Sequence, residues 1–307
     1  MSPPLLALLS GAVRLLPPAL DAPLAGALGR MWCALEGRKR RAARANRAAL
    51  AEEGGTGADL RPLTPEAAPF CAYVVSLLGW LRLLRLDRRG VVARSTVEGL
   101  APLAEAAANR HGTILVAAHV GEWEWGAAAL AARGLRVVAV ADLQLRAGWT
   151  PALRRAKARL GIEVVSPAVS AARLVRALRE GAVVALLVDG DLATSRRSAR
   201  VGAQSVLLPL GPARLAARFG ARLVAGRCDR DLARAPGHYS VRLTPLDRGA
   251  EEAPELEART ALLHDAVARW LTSTLREDPG AWCIFRPFFD VADELAPVAR
   301  PARPAVA

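Results

Sequence analysis

Residues 113–124 read TILVAAHVGEWE, and this stretch decides the fold. Thr113 to Ala118 form a short apolar run bounded by a turn signal, the pattern of a strand buried on both faces. His119 stands at its end. Gly121 then permits a tight turn, and residues 123–132 continue as an Ala-rich helical stretch. Strand, turn and helix in succession are the unit of an α/β protein. In open α/β sheets ligands gather at the carboxyl ends of strands, so His119 stands where a site is expected.

Outward from this segment the same texture repeats. Short β-branched runs at 91–97, 136–140, 162–165, 183–188, 222–227 and 239–244 alternate with helical stretches at 101–110, 149–160, 169–179, 211–219 and 252–276. The alternation predicts an α/β domain over residues 89–290, with a mixed, largely parallel sheet flanked by helices. Residues 291–307 form a Pro/Ala-rich tail for which little order is expected. There is no internal repeat.

Residues 1–88 read as all-helical. The run at 4–29, PLLALLSGAVRLLPPALDAPLAGALG, has no Lys or Arg before it, unlike a secretory signal. Arg14, Pro17, Pro18 and Asp21 interrupt it, and a spanning helix needs about 20 apolar residues in a row. Two short apolar helices at a membrane interface fit the pattern. A single short spanning helix and a hairpin buried in the protein are the alternatives. Arg38, Lys39, Arg40 and Arg41 follow directly, the kind of cluster an anionic cytoplasmic leaflet attracts. Residues 38–52 then continue as an Arg/Ala helix that Gly54-Gly55 breaks. A helix over 64–88, opened by Thr64-Pro65-Glu66, is apolar on most sides and so is either buried or leans on lipid.

Composition agrees with a large core and some apolar surface: 52% of residues are hydrophobic and mean hydropathy is +0.20. The formal charge of +13 is carried almost wholly by Arg. Part of that excess follows from a chain rich in Ala, Arg, Gly and Pro throughout. The remainder suits phosphate groups, an acidic protein or a nucleic acid. Cys33, Cys71, Cys228 and Cys283 are too widely spaced for a metal site or a disulfide framework and read as reduced, packed thiols.

Among four histidines, His119 is the one at a strand end followed by Gly. Glu124 lies five residues on. On one continuous helix the two would stand about 140° apart and could not cooperate. They meet only if His119 precedes the helix and Glu124 falls in its first turn, where the helix dipole favours a carboxylate. A carboxylate-backed imidazole is a general-base unit. Alone, a His–Glu pair is more often structural than catalytic. No G-x-S-x-G elbow or Cys beside a His offers a covalent mechanism, so direct attack by a substrate hydroxyl on an activated acyl group fits better.

These residues resemble the glycerolipid-type acyltransferases, which carry His-x4-acid. The form H-V-G-E-W-E is similar to the H-x-G-x-W-E version of the lauroyl/myristoyl lipid A biosynthesis acyltransferases, grouped with the phosphatidylinositol mannoside acyltransferases. Further segments match in the family's order over nearly the whole chain. Arg41 to Asn46 is similar to its opening R-x-x-x-x-N. Leu178 to Val184 with Asp189-Gly190-Asp191 is similar to its L-x-x-G and D-x-D block, residues 209–221 to its G-x-x-x-L-A helix, and Pro279 to Arg286 to its closing P-x-x-W…R. Two departures concern the acceptor pocket or the acyl-chain ruler: Gly190 replaces the usual Gln or His, and Arg200-Val201-Gly202-Ala203 stands near the place of an aromatic-rich stretch.

The resemblance implies a membrane-associated O-acyltransferase at the cytoplasmic face of the inner membrane. Its donor would be an acyl-carrier-protein thioester or acyl-CoA. Its acceptor would be a glycolipid hydroxyl, most often on a lipid A precursor, with phosphatidylinositol mannosides or another lipid as alternatives. His119 would be the base and Glu124 would orient it. Gly121 and either Arg155 or Lys157 would supply donors to the developing oxyanion. Trp123 would pack beneath the site. Asp189 and Asp191 would bind the acceptor sugar or order a basic residue, or else merely cap a turn. Arg196, Arg197 and Arg200 would hold phosphates or the acidic carrier, or form a solvated loop. No metal or other cofactor is implied. Two other classes remain: a hydrolase with His119, Glu124, Asp189 and Asp191 as metal ligands, and a non-catalytic membrane or nucleic-acid binder. No nucleic-acid recognition module is evident in the sequence.

Overall fold

A computed structural model describes residues 3–51, 66–141, 150–166, 170–191, 193 and 195–289. The Gly54-Gly55 break, Thr64-Pro65 and the tail at 291–307 lie outside these. Seven strands form one sheet: β1 (Ser95–Glu98), β2 (Thr113–Ala117), β3 (Val137–Val140), β4 (Ile162–Val165), β5 (Val183–Leu187), β8 (Arg222–Arg230) and β9 (Tyr239–Pro245). β6 (Arg196–Val201) and β7 (Gln204–Pro209) form a separate hairpin. The sheet order is β1-β9-β8-β2-β5-β3-β4, and every pairing is parallel except β8 with β9. The mixed, largely parallel sheet flanked by helices is thus the architecture observed.

Helices α5 (Arg88–Ala93), α6 (Ala101–Ala108), α7 (Trp123–Ala132) and α8 (Thr150–Leu160) cover one face. Helices α9 (Ser170–Arg179), α10 (Gly211–Phe219) and α11 (Leu256–Glu277) cover the other. Ile114 and Val116 of β2 enter the core beneath α10 and α11, whereas Leu115 enters the core beneath α7. Both faces of the strand are buried, so its run is continuously apolar rather than alternating. From β2 the chain crosses by α7 to β3. From β5, the neighbour of β2, it crosses by the hairpin and α10 to β8 on the other side. Connections leave two adjacent strands in opposite directions, which opens a crevice at their carboxyl ends.

Two elements differ from expectation. The β-branched stretch at 91–97 is a helix first: Asp87 caps α5 by accepting from Gly90 N (2.7 Å), and extended backbone starts only at Ser95. The β6–β7 hairpin was not anticipated. Its signal is the inward alternation Ala199, Val201 and Val206, Leu208 around a two-residue turn in which Gly202 has φ +63°.

The N-terminal run forms α1 (Pro3–Leu15) and α2 (Asp21–Leu35), followed by α3 (Gly37–Ala51). Both α1 and α2 pack on α4 (Ala68–Leu83), which is buried along most of its length. A Cβ at Gly29 would stand 2.6 Å from the Cys71 backbone, so α2 and α4 touch main chain to main chain there. Among the described residues no helix is long and apolar enough to cross a membrane. The other side of α1 and α2 keeps Leu8, Leu15, Leu28, Met31 and Leu35 exposed.

A buried ionic relay joins this N-terminal layer to the sheet. Asp21 at the start of α2 is 1% exposed and meets Arg82 Nη2 at 2.7 Å and Arg230 Nη1 at 2.8 Å. Arg230 continues through Nε to Glu122 Oε1 (2.7 Å) and through Nη2 to Val75 O (2.7 Å). Burial pushes the Glu122 carboxyl upward against the lowering pull of Arg230, with a net rise. Removing one partner from such a relay strands a charge in the interior. We therefore expect Arg230→Met to lose about 3–5 kcal/mol in chemical denaturation, because Glu122 is left alone. Glu122→Gln in the same chain should restore part of that loss.

Candidate active site

His119 stands two residues beyond the end of β2, and the sheet register explains what it faces. Thr113 pairs with Val183 and Ala117 with Leu187; Val188 N then donates to Ala117 O at 2.9 Å. Two residues further the same register sets His119 opposite Asp189. The Asp189 carboxylate is fully buried. It accepts from His119 Nδ1 (2.8 Å) and His119 N (2.8 Å), and from Trp282 Nε1 (3.0 Å). Burial alone would push this carboxyl up, but the imidazole and these donors hold it below the usual range. Burial pushes the His119 imidazole down, yet Asp189, by charge and hydrogen bond, brings it above its ordinary value. With Nδ1–H held by Asp189, Nε2 is the free basic atom.

Glu124 is in the first turn of α7, as the spacing requires, but its partner is Lys157. Lys157 Nζ stands 3.0 Å from Oε1 and 2.9 Å from Oε2. The expectation that Glu124 fixes the imidazole is corrected: Asp189, at the end of the adjacent strand, takes that bond. Glu124 acts on His119 through charge, as a smaller upward influence. Lys157 is half-buried, while Arg155 is exposed on the same helix. The structure thereby separates two cations that the sequence left equivalent.

Gly121 is required by geometry. Its φ is +65°, and a Cβ would meet Cys228 O at 2.3 Å and Asp229 Oδ1 at 2.9 Å. Its neighbour Glu122 N donates to Cys228 O at 2.7 Å, which fastens the turn to β8. Trp123 stands edge-on to His119, ring centroids 5.2 Å apart. Trp125 is core, stacked on Tyr239 at 3.8 Å and donating to Gly79 O.

Other expected site residues lie further out. Asp191 is exposed. Arg196 donates to Ala193 O at 3.3 Å, and Arg197 pairs with Glu257 at 3.0 Å on the surface. His119, Glu124, Asp189 and Asp191 do not converge as a ligand set; among the described residues no group of three His, Cys, Asp or Glu side chains is placed to hold a metal ion.

The segment after α11 completes the site, and spacing arguments assigned it no role. Besides Trp282, Arg286 Nη2 donates to Asp189 O (2.9 Å) and Cys283 N to His119 O (2.8 Å). Asn46 of α3, buried, donates to Arg286 O (2.8 Å) and accepts from Phe288 N (2.9 Å). The R-x-x-x-x-N and P-x-x-W…R segments quoted above are therefore one structure, joined across most of the chain. The resemblance pointed to both; only the fold shows that they clamp the carboxylate behind His119.

By fold and site this is an α/β protein with a carboxylate-backed histidine at a topological switch point, an arrangement suited to taking a proton from a substrate. The chain belongs to the bacterial lipid A biosynthesis acyltransferase family, whose model matches residues 5–290. Membership makes it an acyltransferase with an acyl donor and a lipid acceptor. No curated protein matches the chain.

Gly121→Ala should cost more than the ~1–3 kcal/mol of an unfavourable backbone conformation, because the methyl also meets Cys228 O. Thermal denaturation measures it; a loss below about 1 kcal/mol would mean that the turn readily re-forms.

Proposed function

We propose that the protein transfers a fatty acyl chain from an acyl thioester to a hydroxyl of a lipid A precursor, with His119 as general base. The observation that carries this reading is the Asp189–His119 bond at the crevice, in a chain of this family. His119 Nε2 removes the hydroxyl proton as the oxygen attacks the thioester carbon. Asp189 holds the tautomer and stabilises the imidazolium. The tetrahedral intermediate collapses, the carbon–sulfur bond breaks, and the imidazolium returns its proton to the leaving sulfur. Ester and thiol are the products. Lys157, held by Glu124, supplies a positive charge toward the developing oxyanion. The donor is acyl-carrier protein in this reading, with acyl-CoA as the alternative.

In the same reading the protein works at the cytoplasmic face of the inner membrane. Supporting this, Leu15 and Leu35 of α1 and α2 are 85% and 77% exposed, and Arg38 to Arg41 follow directly. A surface that is apolar on one helix pair and cationic on the next suits an anionic bilayer. Truncating the N-terminus does not test this, because Asp21 belongs to the buried relay. Leu15→Glu with Met31→Glu and Leu35→Glu should instead lower binding to anionic vesicles while the fold persists. Undiminished vesicle binding would move the contact elsewhere.

The pH profile tests the chemistry. The base form of His119 is lost as pH falls through its raised pKa, so the acid limb of kcat/KM should lie above the ordinary imidazole value. Asp189→Asn removes the charge that raises it and leaves the burial that lowers it. The limb should move to lower pH, with kcat down about 10²–10⁴-fold. His119→Ala should abolish transfer without unfolding the protein. An acid limb unmoved in Asp189→Asn would remove this pair from the mechanism.

A further inference from the structure

Two cavities, of about 440 and 730 Å³, line the outer side of the last turns of α11. They share Arg269, Ser273 and Glu277, so they form one trough. Arg227 and Arg242 complete one end, and Arg200 and Arg276 the other. Five arginines and one carboxylate, Glu277, line the trough; Arg227 is nearly buried and is held by Asp229 (2.8 Å), Glu277 (3.2 Å) and Asp278 (3.9 Å), while Arg242, more exposed, reaches Glu277 at 3.5 Å. Arg269 is exposed, and among the described residues Arg200 donates only to Ala203 O. Pro245, Leu246 and Trp270 give the trough an apolar floor.

We propose that this trough docks an acidic helix of a protein partner, the carrier that delivers the acyl thioester. The inference rests on the transferase reading above and adds where the donor binds. Spacing favours a helix over a compact anion. Arg269 and Arg276 are two turns apart, about 10.5 Å along α11, which is also the repeat of carboxylates two turns apart on a partner helix. A phosphate wants converging guanidinium groups or a helix N-terminus. Here the trough lies along the C-terminal end of α11, whose dipole opposes a concentrated dianion. Lipid is disfavoured by composition: five arginines line the trough over an apolar floor of three side chains, whereas α1 and α2 expose Leu8, Leu15, Leu28, Met31 and Leu35.

The trough is also tied to the site. Arg227 precedes Cys228, whose carbonyl holds the Gly121–Glu122 turn. Glu277 precedes by five residues Trp282, which donates to Asp189. A carrier seated over Arg242 and Arg269 therefore stands beside the two segments that frame His119, within reach of a flexible thioester arm.

The test is the variant Arg242→Glu with Arg269→Glu in the full-length protein, both side chains being exposed. Binding of dodecanoyl-acyl-carrier protein at low salt is measured directly, beside its KM and that of dodecanoyl-CoA. Charge reversal should weaken carrier binding and raise its KM about tenfold or more, with kcat and the KM for the CoA thioester unchanged. Added salt should narrow the gap by weakening the wild type. Carrier binding unchanged by the variant would overturn the proposal. So would equal losses for both donors, or weakened binding to anionic vesicles with carrier binding intact. If the wild type binds carrier but transfers from neither donor, the transferase reading fails, while the binding comparison still decides the docking surface.

Discussion

The fully buried Asp189 carboxylate is the constraint around which the site is arranged. A charge removed from water must be met by donors on every side. Its oxygens accept from His119 N, His119 Nδ1 and Trp282 Nε1, and its own carbonyl accepts from Arg286. These donors come from β2 and from the segment after α11, which Asn46 of α3 in turn holds. The bond that orients the imidazole therefore also ties together the start, middle and end of the described chain.

The second buried charge system does different work. Asp21, Arg82, Arg230 and Glu122 link α2 and α4 to β8 and to the turn that carries His119. Glu122 is in the same short turn as Gly121, so the N-terminal helices are braced against the turn beside His119 rather than appended to it. The same helix pair keeps one side packed on α4 and another side apolar and exposed. The arginine trough on α11 belongs to the other face of the sheet.

The fold was legible wherever burial imposes a simple pattern. The runs at 113–118 and 183–188 became β2 and β5 nearly residue for residue, because strands covered on both faces need unbroken apolar side chains; the run at 162–165 became the edge strand β4, which has room for the half-exposed Glu163. The stretch at 91–97 misled because Asp87 offers a helix cap that outweighs the preference of Val91 and Val92. The β6–β7 hairpin escaped because its arginines hide a period-two pattern of only four inward residues.

The sequence by itself determined that His119 ends a strand, that Gly121 must turn the chain, and that Glu124 falls in the first helical turn. Each follows from residue type and spacing within a dozen positions. What it could not decide was which acid meets the imidazole. Glu124 is five residues away and Asp189 seventy, yet β2 and β5 are neighbours in the sheet and their register sets Asp189 opposite His119. Strand order is a property of the packed layers, not of any local pattern. Only the tertiary structure could give the histidine to Asp189 and leave Glu124 to Lys157.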